Sequence, residues 1–301
     1  MNESKSLISL ARRFNNVNLI ELQSTGYLPF KFEETRIGTI SPLVLEEMKP
    51  HPSIFSITPE CVRLNQDLKC YDERSDELRK FMEEMREKNL FTALVGWRDE
   101  CYETRLKFGD PPIFKVERAG TPILGLRQYG VHINGFVKTS EKGRSIWIQR
   151  RSKNKQTYPG KLDTFVGGGF AEGSGVLQTA IRELEEEAGL ILPPHLKLKP
   201  CGSVSFFHIS ERGLHPQTEF VYDLELPLDF LPENKDGEVQ GFELVRSDQL
   251  INLIQTEDYK TTSIPVALDW LVRHGFLSSE TEPYLPELIE ELHTPLHIFY
   301  N

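Results

Sequence analysis

Three glutamates stand out by type and spacing. Glu183, Glu186 and Glu187 recur at i, i+3 and i+4 within VLQTAIRELEEEA. At about 100° per residue a helix brings them together on adjacent turns. Three like charges so close destabilise an isolated helix. A hard divalent cation removes that repulsion, and Mg2+ takes oxygen ligands in near-octahedral geometry. The same helix carries Leu177, Ile181, Leu184 and Ala188 at i, i+4, i+7 and i+11, which predicts an apolar stripe well separated from the carboxylates. Directly upstream lies GGGF, where glycine lets backbone approach a ligand closely. Gly189 supplies a helix stop. The bland alternative is that the glutamates form a solvated face.

The elements that must position this segment are legible in outline. GVHINGFV (residues 130–137), SIWIQR (145–150), VSFFHI (204–209) and EFVYDLEL (219–226) read as strands by alternation and β propensity. A further helix is expected over residues 264–273, with Pro265 near its start and Gly275 past its end. Strand, strand, helix, strand, strand, helix suggests a mixed sheet covered by helices. The first part of the chain mixes signals. Residues 75–90 place Leu78, Phe81, Met82 and Met85 at i, i+3, i+4 and i+7, an amphipathic helix with Ser75 as its cap, and strand-like runs follow at 91–97 and 122–126. A composition shift near Gly120 divides the chain into an N-terminal α+β domain (1–125), a larger domain (126–278) and a C-terminal tail (279–301) that packs on it.

Composition narrows the function. The 301 residues carry 35 Lys plus Arg against 45 Asp plus Glu, a net charge of −10. Such a chain lacks the positive footprint that nucleic acid requires, and it suits an anionic membrane surface no better. No stretch approaches ~18 apolar residues, so no membrane span is expected. Cys61, Cys70, Cys101 and Cys201 form no C-x-x-C pair and read as free thiols in a reducing compartment. The first twenty residues have no apolar core of signal-peptide length. Arg12 and Arg13 beside Leu7, Ile8 and Leu10 hint at a mitochondrial presequence, but Glu3 and Glu21 favour a plain first helix and a cytoplasmic protein.

Residues 167–190, GGGFAEGSGVLQTAIRELEEEAGL, resemble the Nudix box, G-x5-E-x7-R-E-U-x-E-E-x-G-U with U aliphatic. Gly168 takes the first position, and Arg182, Glu183, Leu184, Glu186, Glu187, Gly189 and Leu190 fill the second half without mismatch. One departure is Ser174, where the pattern has a glutamate; Glu172 is the nearest acid that could replace it. The resemblance implies a Nudix α/β/α sandwich with a mixed sheet, preceded by the smaller α+β domain. It implies attack of water on a diphosphate linkage, assisted by Mg2+, with Mn2+ as the alternative ion. Glu186 and Glu187 would be the main metal ligands, Glu183 a third ligand or a base, and the Gly168 carbonyl would complete the shell. Arg182 would pair with a glutamate to hold helix and loop, and Gly189 is structural.

The stretches GWRDECYETR (96–105), LRQYGVHINGFV (126–137), RRSKNKQTYPGKLDTFVGGG (150–169) and FVYDLELPLDFLPENKDGEVQGFEL (220–244) are similar to one Nudix subgroup with an extra N-terminal domain, related to the Nudix portion of fungal thiamine pyrophosphokinases. That resemblance implies hydrolysis of thiamine diphosphate, and especially of its oxidised forms, to the monophosphate, without a kinase domain. Members commonly lack the glutamate that Ser174 replaces. Residues 142–161 contain seven basic residues and no acid, and guanidinium and ammonium groups suit a diphosphate. Contacts are expected from Arg150, Arg151, Lys153 and Lys155, against the alternative of a solvated loop. Tyr129, His132, Phe206 and Tyr222 are candidates for the ring wall, though each also reads as strand packing. Glu238 in DGEV is nominated as a further catalytic acid. His208 and His215 read as core or surface residues before they read as acid or base, and Asp163 as ordering the turn before the glycines. The expected partner is a small-molecule diphosphate, on a monomer or homodimer. The rival readings are a nucleotide diphosphatase, acting on oxidised nucleotides or nucleotide sugars, and a non-catalytic diphosphate sensor. An isoprenoid isomerase is disfavoured because no cysteine lies near the box.

Overall fold

A computed structural model describes residues 7–139 and 143–300. The N-terminal half runs α1 (Leu7–Phe14), α2 (Leu19–Ser24), β1 (Leu28–Phe32), β2 (Thr35–Ile40), α3 (Pro42–Met48), β3 (Phe55–Ile57), β4 (Val62–Leu64), α4 (Tyr71–Glu87), α5 (Thr92–Val95), β5 (Cys101–Thr104) and β6 (Phe114–Glu117). Strands β2-β1-β4-β3 form one small sheet, and β5 pairs with β6. Phe30, Val62, Phe81, Met82 and Phe114 are among the fully enclosed residues of its core.

The second half runs β7 (Gln128–Lys138), β8 (Arg144–Arg151), β9 (Leu162–Asp163), β10 (Val166–Gly169), α6 (Val176–Ala188), β11 (Lys199–Ser210), β12 (Gly213–Glu225), β13 (Val239–Arg246), α7 (Ser247–Ile254), α8 (Ile264–Arg273), α9 (Leu285–Glu291) and α10 (Leu296–Phe299). Its sheet has the order β11-β12-β7-β8-β13, with β10 paired to β7 and β9 to β8. It is mixed: β12 runs parallel to β7 while the other pairings are antiparallel. Among the described residues three apolar clusters sit on this half, the smallest around Phe207, Leu214, Leu296 and Tyr300. One of the larger two packs Val131, Ile133, Phe165, Leu184 and Ala188 around α6. The other gathers Phe206, Val221, Trp270 and Leu288, and it also takes in Leu7, Leu10, Ala11 and Phe14 of α1. The tail from residue 279 joins the same structure: Leu288 and Leu292 are in that core, and Thr294 N–H donates to the Ser205 carbonyl at 2.9 Å. No helix among the described residues is long and apolar enough to cross a membrane.

Several local expectations need correction. Helix α4 begins earlier than Ser75 and is capped by Cys70, in a capping box with Glu73. Ser75 lies inside the helix, donating to the Tyr71 carbonyl and accepting from Lys115 N–H of β6. The run at 91–97 is the one-turn helix α5, and 122–126 is turns. There Gly125 sits at φ +56°, where a Cβ would meet Thr39 backbone at 2.6 Å. On α6, Leu184 and Ala188 are enclosed, but Leu177 and Ile181 are 52% and 41% exposed. The buried face instead takes in Glu183 and Glu187. The helix has been rotated so that carboxylates face inward, at the expense of two aliphatic residues.

Candidate active site

The Gly167–Gly169 segment and α6 meet directly. Strand β10 lies antiparallel to β7, Gly168 opposite Val131 and Gly169 opposite Gly130. A Cβ on Gly168 would stand 2.0 Å from Glu183 Oε1, and one on Gly169 would stand 1.7 Å from the Tyr102 hydroxyl. Only glycine allows both close approaches. A Cβ on Gly130 would stand 3.1 Å from the Gly168 carbonyl oxygen and 2.2 Å from Glu219 Oε2. Gly189 closes α6 in the left-handed region at φ 66°, its N–H donating to the Glu185 and Leu184 carbonyls.

The three box glutamates differ in setting. Glu187 is 1% exposed and accepts from Gly167 N–H at 3.0 Å and Gln149 Nε2 at 3.1 Å. Burial, and Glu183 beside it, push its carboxyl up from the usual range. Burial likewise raises Glu183. Glu186 is the least buried of the three, half-exposed at its side chain. Arg182 binds Glu186 Oε2 at 2.6 Å and Glu183 Oε1 at 2.7 Å, so the arginine bridges two acids of its own helix. Among the described residues no three His, Cys, Asp or Glu side chains already stand in a metal-holding group. The donor set nevertheless suits a hard divalent cation: Glu183 raises the proton affinity of buried Glu187, Glu186 raises that of Glu183, and a glycine strand whose oxygen is left uncrowded lies against them.

A cavity of about 180 Å³ opens beside Gly167–Gly169 and Glu183. Both halves of the chain line it. The N-terminal half contributes Arg98, Tyr102 and Arg118; the second half contributes Arg151, Lys155, Arg212, Lys260, Glu219 and Glu238. Of the four expected phosphate ligands, Arg151 and Lys155 reach the cavity. Arg150 points to the other face of β8, as strand alternation requires, and forms an ion pair with Asp258 at 3.0 Å. Lys153 is exposed and outside the lining. Lys142, the first residue of the basic run, lies outside the described residues. Lys155 is bonded to Glu238, so that nominated acid does stand at the cavity wall. Burial and Arg151 lower the Lys155 ammonium from its usual value.

Asp163 is more than a turn residue. It is 1% exposed and holds Arg151 Nη1 at 3.2 Å, Lys260 Nζ at 2.9 Å and Ser263 Oγ at 2.5 Å. Burial by itself would raise this carboxyl, but Lys260 and Arg151 outweigh it and hold Asp163 far below the usual range. His132 lines the cavity with Nδ1 2.6 Å from Thr164 Oγ1 and Nε2 3.9 Å from Glu219 Oε2. Burial and Lys260 lower it to about 3, so it is a neutral ring. His215 is also at the wall and also neutral, lowered to about 3 by burial, His208 and Arg212. Burial pushes Glu219 up to about 8, which leaves it protonated at neutral pH.

Tyr129 borders this cavity and a second one of about 220 Å³, where it meets Phe108 at 4.9 Å and stacks on Phe170 at 6.5 Å. Phe206 is not a wall residue: it is fully enclosed against Phe14 at 5.9 Å. Tyr222 packs against the α6 core. Ser174 borders the second cavity, and Glu172 is tied to Lys115 at 2.9 Å, so neither lines the main one. Residue types alone did not single out Arg98, Arg118, Arg212, Glu219 or Lys260. Arg98 and Tyr102 did fall inside the GWRDECYETR stretch, the one signal that marked them.

Comparison with known proteins finds two family matches along the chain. The NUDIX domain family matches residues 129–265. Residues 6–128 match a family described as a domain of unknown function, DUF4743. Nudix hydrolase 20, chloroplastic, of Arabidopsis thaliana is 32% identical over 94% of this chain and 77% of its own length. Nudix hydrolase 24, chloroplastic, of the same plant is 34% identical over 86% of this chain and 71% of its own. An uncharacterized protein of Saccharomyces cerevisiae is 32% identical over 87% of this chain and 81% of its own.

Proposed function

Because the chain belongs to the Nudix hydrolases, which act on pyrophosphate bonds, we propose that its substrate is thiamine diphosphate, above all the oxidised forms of that cofactor. The products would be the monophosphate and phosphate. The observation that carries this reading is the cavity lined by both domains. One part of its wall, Arg151 and Lys155, is cationic and lies beside Glu183 and Gly168; Tyr129, neutral His132 and protonated Glu219 supply ring-sized and hydrogen-bonding surface. A small aromatic diphosphate needs both kinds of wall. The similarity to the thiamine-related subgroup at 96–105 supports the same choice, since that stretch supplies Arg98 and Tyr102.

In this reading Glu183, Glu186 and Glu187, with the Gly168 carbonyl, would hold the divalent ion, Mg2+ first. A bound ion neutralises phosphate oxygens and makes a water acidic enough to attack. Arg182, bonded to Glu183 and Glu186, would keep both carboxylates in position for the ion. Arg151, fixed by Asp163, presents a guanidinium to the diphosphate. Glu238, bonded to Lys155, stands ready to hold or accept a proton at its carboxylate.

The test is release of phosphate by the full chain from thiamine diphosphate, its oxo form, 8-oxo-dGTP and ADP-ribose, with Mg2+ and with chelator. The oxo form should give the highest kcat/KM, and chelation should abolish turnover. Faster cleavage of either nucleotide overturns the thiamine assignment in favour of a nucleotide diphosphatase. Turnover unaffected by Glu186→Gln and Glu187→Gln removes the metal assignment and favours a binding role.

A further inference from the structure

The cavity wall carries six cationic side chains, and four are matched by acids. Arg118 pairs with Glu100 at 2.9 Å, Arg151 and Lys260 share Asp163, and Lys155 holds Glu238. The other two, Arg98 and Arg212, form no ion pair among the described residues. They come from separate domains. Arg98 follows α5, and Arg212 lies in the turn between β11 and β12. Arg98 donates to Thr157 Oγ1 at 3.2 Å, and Arg212 donates to the Ala93 carbonyl at 2.9 Å. A Cβ on Gly96 would stand 2.5 Å from Arg212 Nη2, so a glycine in the N-terminal domain makes room for this guanidinium. Burial, with Arg118 and Arg212 nearby, lowers Arg98 to about 10, still a full cation at neutral pH.

Glu100 lies near Arg98 and Glu211 beside Arg212, but neither closes an ion pair with them among the described residues. Glu219 is protonated at neutral pH, and the two wall histidines are neutral. Arg118 already lies over one face of Tyr102, at 5.1 Å from the centroid. The acids Glu183 and Glu187 belong to the metal-holding helix.

We propose that Arg98 and Arg212 are specificity residues that select against the cationic ring of intact thiamine diphosphate and admit the neutral ring of its oxo form. The inference rests on the thiamine reading above. The chemistry is one of charge. The thiazolium of the intact cofactor is a permanent cation. Oxidation at C2 to a carbonyl gives a neutral ring and adds a hydrogen-bond acceptor that a guanidinium can meet. Two unit charges several ångströms apart in a partly buried site repel strongly enough for about a tenfold difference or more. The useful cofactor would thus be excluded by its own charge, with no steric check on a single oxygen atom.

The experiment measures kcat/KM for three diphosphates: intact thiamine, its oxo form, and oxythiamine, which is altered on the pyrimidine and keeps the thiazolium cation. Arg98→Gln and Arg212→Gln should lower the oxo-to-intact ratio by about tenfold or more, chiefly by raising turnover of the intact cofactor. The oxythiamine-to-intact ratio should stay constant, because both rings carry the charge. Arg98→Lys and Arg212→Lys, which keep the charge, should keep the wild-type ratio. Calorimetric binding of thiamine monophosphate against its oxo form gives the same ratio without turnover, and thermal melts confirm that each variant is folded. An unchanged oxo-to-intact ratio in both glutamine variants overturns the proposal. So does a parallel fall for all three substrates, which would make the arginines diphosphate ligands. Failure of the wild type to cleave any thiamine diphosphate is a different result, and it sinks the underlying function instead.

Discussion

Gly168→Ala isolates what the glycine strand does for the glutamates of α6. Gly168 is not in the left-handed region, so alanine meets no backbone penalty there. The effect is purely one of contact. The new methyl would stand 2.0 Å from Glu183 Oε1, against the 3.4 Å at which ordinary contact begins, so the carboxylate must retreat by 3.4 − 2.0 = 1.4 Å. It has little room to do so, since its helix is fixed through Ala180, Leu184 and Ala188, all 0–1% exposed. A displacement of about 1 Å at a reacting centre costs about 100-fold in rate, equivalent to about 2.7 kcal/mol of barrier. Overpacking should also lower stability by about 1–3 kcal/mol. The control is Gly175→Ala at the start of the same helix, where the nearest atom to a new Cβ is Gln178 Oε1 at 3.8 Å. Steady-state phosphate release with saturating Mg2+, together with thermal unfolding, measures both variants. The expected result is a loss of about 100-fold for Gly168→Ala and near-wild-type turnover for Gly175→Ala. Turnover of Gly168→Ala within about threefold of wild type would refute the claim that Glu183 must stand against this strand.

Two further predictions concern buried acids. Asp163→Asn leaves Arg151 and Lys260 without their shared carboxylate and should cost about 3–5 kcal/mol in chemical denaturation; a loss below about 1 kcal/mol contradicts its role as the charge hub. Because Asp163 is held below the usual carboxylate range, its contribution is fully present above the unfolded value and is lost as pH falls through the native one. The wild type should therefore lose its advantage over Asp163→Asn on acidification. Glu219 has the opposite sign. With its carboxyl pushed up to about 8, the native state holds a proton that the unfolded chain has released, so stability falls as pH rises from about 5 through about 8 and then levels off. Glu219→Gln should remove about 2–4 kcal/mol of that slope in unfolding measured across the range, and a slope equal to the wild type's would show that Glu219 ionises normally.

What the sequence made legible was what is local. Helix α6 could be placed because its periodicity, its glutamate spacing and the stop at Gly189 all lie within one short segment. Which of Arg150 and Arg151 faces the cavity turns on the register of one strand, and composition does not fix register. The outward rotation of Leu177 and Ile181 was hidden for a related reason. Hydrophobic periodicity assumes that apolar residues claim the buried face, whereas here Glu183 and Glu187 claim it. Cys70 caps α4 although serine, as at position 75, is the commoner capping type. Arg98 and Arg212 are far apart in sequence and from different domains, so only the folded chain brings them to one wall.

The seating of α1 has a consequence for how the two halves hold together. Leu7, Leu10, Ala11 and Phe14 fill the core built by α8, α9 and β11, on the side of the molecule opposite in sequence to where they are made. Arg13 reaches Glu257, and Asn15 and Asn16 bond to the edge of β11 through Phe207 and Ile209. The chain therefore fastens like a belt, its opening segment buckled beneath the last helices. A cut at the junction between the two family regions would strip an apolar helix from the catalytic half and leave its groove facing water. The N-terminal region is in this sense no detachable cassette: the halves are expected to melt as one cooperative unit.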